Sequence, residues 1–220
     1  EVEHVGGERD EHGRPRVAIG ARAGKRVVAF LTGMDQPLGL TIGNWVEVLE
    51  SIECLRGRNV PDLMDVTTVL GGAMVWLGGK AASIEEGMKL CQSAIWSGKA
   101  YEKFLEIIRR QGGDTRYVEE PVRYRKPKHT LALVSPADGY VQSFATRRIG
   151  VLATELGAGR QKADDRIDPT AGIVLKKKLG DPVQRGSVIA EVMTDRDGVV
   201  ERGRDELSGC IAGGPDPVVP

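Results

Sequence analysis

Histidine and cysteine are scarce here, and the few present are scattered. His4, His12 and His129 share no metal-site spacing with Cys54, Cys91 and Cys210, so a zinc cluster is excluded. Three widely separated cysteines are also no disulfide framework, and a reducing, cytoplasmic setting is the expectation. Charge of one sign is missing too: 31 Lys and Arg balance 31 Asp and Glu. That removes any electrostatic case for a nucleic-acid or anionic-membrane partner. No apolar run is long enough to span a bilayer, and Glu1 onward is not a signal peptide. What is present is a chain of 220 residues, 40 % hydrophobic, enough for one large domain or two small ones with a packed core.

The most informative stretch is residues 26–53. Arg26-Val27-Val28-Ala29-Phe30-Leu31-Thr32 is a short apolar run rich in β-branched residues, which reads as a buried strand of a parallel sheet. Gly33-Met34-Asp35-Gln36-Pro37-Leu38-Gly39 is turn chemistry. Asp35 reads as the cap of that loop, with the orienting of a distant active site as the rival role. Ile42, Trp45, Val46, Leu49 and Ile52 then share one face of a helix. Strand, loop and helix make half of a βαβ unit, and open α/β sheets bind ligands at the carboxyl ends of such strands.

Residues 1–16 are polar and aperiodic, an unstructured or atypical lead-in. The second segment, 17–113, opens with the last turns of a helix stopped by Gly24. After residue 53 three helices follow. The first starts at Pro61, with Leu63, Val66, Leu70, Ala73, Met74 and Leu77 at helical spacing; Met74, Trp76 and Leu77 read as core. Gly71-Gly72 inside it costs about 1 kcal/mol per glycine, which a close helix contact would explain. The next opens on the capping box Ser83-Ile84-Glu85-Glu86 and buries Ile84, Met88, Cys91 and Ile95. The last runs from about Lys99 to Gln111 with Ala100, Phe104, Ile107 and Ile108 inward. Residues 114–129 hold Pro121, Pro127 and many charges, and read as a solvated linker. From Thr130 to Pro220 the pattern is β-rich: strands at Leu131–Val134, Tyr140–Phe144, Gly172–Lys178 and Ser187–Val192. A short helix carrying Ile149, Leu152, Ala153 and Leu156 ends at Gly157. Gly157-Ala158-Gly159-Arg160-Gln161-Lys162 follows a helix, so it is a connecting loop and not a phosphate cradle. Beyond Asp195 the signal fades.

Met34-Asp35-Gln36-Pro37-Leu38-Gly39, followed by Gly43-Asn44 and Glu47-Val48, resembles the pyrimidine-nucleoside phosphorylase family, which includes thymidine phosphorylase. Gly33 stands where that family often has Asp. The similarity continues in order to about Met193. It implies an α/β fold: the C-terminal part of a parallel-sheet α/β domain with several helices, then a small β-rich, hammerhead-like α+β domain. It requires that Val27–Thr32 lie in a parallel sheet and that the chain beyond Thr130 not fold as helices.

The resemblance also implies phosphorolysis, in which phosphate attacks the anomeric carbon of a pyrimidine nucleoside and releases the base and a pentose 1-phosphate. In the family the phosphate and base groups precede the strand at Val27, and no Lys-x-Ser-x-Gly or Ser-x-x-Ser-Lys pattern occurs here. The expectation is that this chain carries no catalytic residue and is silent without the missing N-terminal half. No organic cofactor is implied. The resemblance does imply a potassium or calcium ion held in part by the carbonyls of Leu38 and Thr41 and the carboxylate of Glu50, with the remaining ligands in the missing half, so that this chain alone should bind it weakly; otherwise Glu50 is a surface carboxylate at the edge of the helix. A homodimer is a further family expectation. Two alternatives remain open. One is a carrier or docking module, disfavoured because Lys176 to Lys178 reads as strand rather than hairpin tip. The other is a fragment of a nucleoside-monophosphate phosphorylase, where Gly-Pro usually replaces Gly43-Asn44.

Overall fold

The structure, a computed structural model, describes residues 13–218. Most of the expected lead-in therefore lies outside the described residues, but its last four residues begin a helix. In chain order the elements are α1 (Gly13–Arg22), β1 (Thr41–Gly43), α2 (Trp45–Leu55), α3 (Pro61–Leu77), α4 (Ile84–Trp96), α5 (Lys99–Arg110), α6 (Arg116–Glu119), β2 (His129–Val134), β3 (Gly139–Phe144), α7 (Thr146–Ala153), β4 (Gly172–Leu175), β5 (Pro182–Val183), β6 (Val188–Thr194), α8 (Val200–Cys210) and β7 (Ile211–Gly214). Two compact units result. One holds the described residues up to Gly33 and Pro61–Lys99; the other holds Met34–Val60 and everything from Ala100.

In the first unit α3 and α4 pack as a tight hairpin. Ser83 caps α4, its hydroxyl accepting from the Glu86 N–H at 3.2 Å. Glu86 reaches back one residue beyond the cap and accepts from the Ala82 N–H at 2.7 Å. The glycines that α3 tolerates are explained by α4. A Cβ on Gly72 would sit 2.7 Å from the Ile84 carbonyl oxygen, and one on Gly87 would overlap the Gly72 carbonyl. Backbone meets backbone there, so neither helix accepts a side chain without moving apart. The Arg26 guanidinium lies 5.3 Å over the Trp76 ring and donates to the Leu77 carbonyl at 2.6 Å.

Two expectations fail in this unit. Residues 27–32 form no strand of a parallel sheet: Phe30 makes one isolated bridge, and both described sheets are antiparallel. An apolar, β-branched run becomes a parallel strand only when neighbouring strands exist to pair with it, and the described residues supply none. Met74 is not core but 72 % exposed; the buried positions of α3 are Thr68, Gly72 and Ala73.

The second unit is built on two antiparallel sheets, one in the order β1-β4-β6-β2 and the other β5-β3-β7. Ile173, Leu175, Ala190 and Val192 from the central strands meet Ile149, Leu152 and Leu156 of α7 and its extension, and Leu207 of α8, in one core. Beyond Thr130 the chain is thus sheet with two covering helices. The helix after Ala145 ends at Gly157, whose φ of 116° only glycine adopts readily. Strand β4 stops at Leu175, so Lys176–Lys178 is not strand but leads into the turn at Leu179-Gly180. The final helix and strand, α8 and β7, have no counterpart in the sequence reading. In α5 the buried residue is Leu105, while Ile107 is 44 % exposed.

The expected solvated linker is folded. Val118 of α6 is buried with Ile52 and Leu105, and Tyr124 stacks on Trp45 with ring centroids 4.1 Å apart. Several of its arginines are paired: Arg123 with Glu120 at 2.7 Å, and Arg125 with Asp195. Arg125 also approaches the buried Asp168 at 3.6 Å. Burial pushes the Asp195 pKa up, but the Lys128 N–H, the Arg125 guanidinium and the Thr170 hydroxyl reverse that and leave it below the usual carboxylate range.

Gly87→Ala is expected to destabilise the first unit by roughly 1–2 kcal/mol, the overpacking exceeding the gain in helix propensity. The same change at Gly150, where a Cβ meets nothing within 4 Å, is expected to stabilise by up to about 1 kcal/mol. Urea titration of both variants checks the opposite signs. For Asp195, the folded pKa lies below the unfolded value of about 3.9. Its contribution is therefore full above about pH 4 and lost as the pH falls through the folded value. The stability gap between wild type and Asp195→Asn should close on acidification below about pH 4; a gap constant from pH 7 to pH 2 would refute the pairing.

Candidate functional site

The loop before β1 is assembled from two directions. From one side comes Glu50 of α2, about a turn and a half into an otherwise apolar face. Its side chain folds back over the loop: Oε1 and Oε2 accept from the Leu40 N–H at 3.0 and 3.2 Å, and Oε2 accepts from the Thr41 hydroxyl at 3.0 Å. Glu50 is only 5 % exposed, so the reading of it as a helix-surface carboxylate is corrected. From the other side comes the turn after β4. The Lys178 ammonium donates to the carbonyls of Pro37 and Gly39, the latter at 2.8 Å. The next residue, Leu179, donates its N–H to Gln36 Oε1 at 3.2 Å.

The start of α2 is fixed in the same manner. Glu47 Oε1 accepts from the Gly43 N–H at 2.8 Å. Asn44 donates its side-chain amide to the Ala158 carbonyl at 2.7 Å, and the Trp45 N–H donates to Pro169 at 3.1 Å. A Cβ on Gly43 would stand 2.6 Å from the Ala171 carbonyl oxygen, so only glycine lets β1 approach β4 this closely. Asp35, expected as the loop cap, is exposed and accepts no hydrogen bond from the described residues. Gln36 and Glu50 do that work instead.

The structure brings Thr41 and Glu50 into contact and sets Leu38 two residues from the Leu40 amide that Glu50 holds. The carbonyls of the loop are unequally used. Those of Pro37 and Gly39 go to Lys178, and that of Leu40 accepts from the Leu175 N–H at 2.7 Å. The Leu38 carbonyl accepts from none of the described residues, and Leu38 is 49 % exposed between the buried Pro37 and Gly39. Carbonyls alternate in direction along an antiparallel strand. With Leu40 bonded to Leu175 and Thr41 opposite Val174, the Thr41 carbonyl faces away from β4, on the outer side of an edge strand. Leu40, Thr41 and Glu50 also line a cleft of about 890 Å³. Its other charged walls are largely paired, Lys176 with Glu191 at 2.8 Å and Arg58 with Glu53.

Chemically the loop and α2 offer one buried carboxylate and, among the described residues, two carbonyls that no donor takes. Such donors suit a hard cation. Among the described residues no three His, Cys, Asp or Glu side chains converge on a metal position, so carbonyls would have to supply most of the ligands. The resemblance singled out Leu38, Thr41 and Glu50, and nothing in the sequence singled out Lys178 or Gln36. Nothing local could have shown that pair, because the partners lie about 140 positions apart in the chain.

Comparison with known proteins gives two family matches. Residues 4–101 match the glycosyl transferase family, a/b domain, and residues 140–212 match the pyrimidine nucleoside phosphorylase C-terminal domain. The pyrimidine-nucleoside phosphorylase of Geobacillus stearothermophilus is 37 % identical over 183 residues, which is 83 % of this chain and 42 % of that protein. The protein of the same name from Staphylococcus aureus strain USA300 is 39 % identical over the same spans. This similarity, carried by side chains along most of the chain, stands although residues 27–32 lie outside a parallel sheet.

Glu50→Ala removes the acceptor from the Leu40 N–H and the Thr41 hydroxyl at a buried position. It should cost roughly 1–3 kcal/mol, whereas Glu50→Gln, which keeps one oxygen, should cost less. Thermal unfolding of both variants reads the order; an alanine variant as stable as wild type would contradict the buried-cap geometry.

Proposed function

Because the chain belongs to the pyrimidine-nucleoside phosphorylase family, we propose that it is the C-terminal part of an enzyme that cleaves pyrimidine nucleosides with phosphate. The products are the free base and a pentose 1-phosphate. The single observation that carries this reading is the identity of 37–39 % to pyrimidine-nucleoside phosphorylases across both matched regions. In the proposal these residues supply framework, while the groups that grip phosphate and base belong to the N-terminal portion of the complete enzyme. Phosphorolysis needs donors around phosphate and a group that takes charge from the leaving pyrimidine. The arginines of the cleft do not fit that work, since Arg56 is bound to the Tyr101 hydroxyl and the Val118 and Glu119 carbonyls, Arg58 to Glu53 and Arg125 to Asp195.

What this chain would contribute is the loop before β1. Leu38 and Thr41 carbonyls and the Glu50 carboxylate fit a potassium or calcium ion by donor chemistry. Bound there, such an ion would supply fixed positive charge beside an anionic substrate. The chain's own part is to hold the loop rigid, through Glu50 on the Leu40 amide and Lys178 on the neighbouring carbonyls. A reducing, cytoplasmic setting accords with three free thiols, and no helix among the described residues is long and apolar enough to cross a membrane. The carrier-module reading loses ground: although Lys178 leads into a turn, its ammonium is bound to two carbonyls, and Lys176 is paired with Glu191.

The test is phosphate-dependent release of thymine or uracil from the nucleoside. The isolated chain should give no turnover, and the same chain joined to the N-terminal portion of the Geobacillus relative should give measurable turnover. Turnover by the isolated chain would contradict the division of labour, and a silent chimera that folds would contradict the proposed activity.

A further inference from the structure

Lys178 lies far from the sequence motif of the loop, yet the loop closes around it. Its backbone N–H donates to Asp181 Oδ2 at 2.7 Å, and the Asp181 N–H returns to the Lys178 carbonyl at 3.0 Å. The turn is therefore rigid before it reaches the loop. From that fixed base the ammonium takes the Pro37 and Gly39 carbonyls, and the adjacent Leu179 N–H takes the Gln36 side chain. Hydrogen bonds from an ammonium are roughly twice as strong as neutral ones. Both of the gripped residues are buried, and Leu38 between them is exposed. Drawing the two flanking carbonyls to one donor leaves the Leu38 carbonyl as the one in this run that no described donor takes.

We propose that Lys178 is a positioning residue for the cation ligands of this enzyme. By binding the carbonyls of Pro37 and Gly39 it holds the loop in the conformation that leaves the Leu38 carbonyl open, two residues before the Leu40 amide that Glu50 holds. The inference rests on the cation reading given above, but its grip on the loop can be measured separately. It also has an opponent built in. An ammonium carries the same charge as a potassium ion, so a bystander lysine nearby would weaken potassium binding by repulsion. Removing a bystander should tighten potassium; removing a positioning group should loosen it.

The experiment uses the full chain with three variants: Lys178→Met, similar in length without charge; Lys178→Arg, which keeps charge and two donors; and Lys177→Met as control, because Lys177 makes no bond to the described residues. Far-UV circular dichroism and a cooperative melt establish that each is folded. Hydrogen exchange is followed at the Leu38, Gly39 and Leu40 amides, and potassium binding by the rise in melting temperature with KCl against LiCl. In Lys178→Met, loop exchange should speed up at least tenfold and the potassium midpoint should rise several-fold. Lys178→Arg should recover most of both, and Lys177→Met should match wild type. Unchanged loop exchange in a folded Lys178→Met, or tighter potassium binding, overturns the proposal. A wild-type chain that gives no potassium response overturns the cation reading and with it the role toward a cation, while the exchange result still decides whether Lys178 fixes the loop. If Lys178→Met does not fold, Lys178→Arg decides: wild-type exchange supports the grip, and exchange raised tenfold in a folded arginine variant overturns it.

Discussion

A carboxylate buried to this degree must be compensated, and Glu50 is compensated by a loop. An unpaired acceptor at that depth would cost several kcal/mol, so α2 folds with Glu50 inward only if the Leu40 N–H and the Thr41 hydroxyl are delivered to it. Delivery fixes where the loop ends and β1 begins. It also uses the Leu40 amide that would otherwise pair with β4, leaving only the carbonyl half of that pair. The end of the loop and the entry into β1 follow from that arrangement, while Lys178 fixes the residues before it.

The motif residues read at first as a ligand loop are, in this structure, largely an interlock with distant parts of the chain. Gln36 holds Leu179, Pro37 and Gly39 hold Lys178, and Asn44 holds Ala158. Gly43 admits Gly172, with its own Cβ position 2.8 Å from the Gly172 Cα. Such a set constrains side chains in two places at once. The short run of residues 34–50 is thus tied to a region more than a hundred positions away, and changing one partner leaves the other unsatisfied.

Helix boundaries were legible because their causes are local. Ser83 announces α4, Pro61 announces α3, and Gly24 and Gly157 close helices through their own backbone freedom. The Gly71-Gly72 pair announced a close contact, and α4 supplies it. What misled was anything decided by a distant partner. The run Val27–Thr32 has strand composition, but composition cannot provide the neighbour that makes a strand. Helix α8 carries Glu201, Arg202, Arg204, Asp205 and Glu206 around Leu207 and so has little apolar period, yet Leu207 is fully buried beneath the sheet. The segment 114–129 has no period either, and folds through Val118, Tyr124 and Arg125 one contact at a time. Around the loop, the resemblance drew attention to Leu38, Thr41 and Glu50 but not to Lys178, since a lysine in a run of three gives no sign of which one is bound.

The loop is a single mechanical element held from two sides, by a carboxylate on α2 and an ammonium after β4. The direct measurement is a double-mutant cycle in urea with Glu50→Ala, Lys178→Met and the pair combined. If one loop serves both groups, the first substitution releases what the second would have lost, and the combined change should fall short of the sum by at least about 0.5 kcal/mol. Losses that add to within about 0.3 kcal/mol would mean that the two groups act independently, and the loop would then not be the element on which the rest depends.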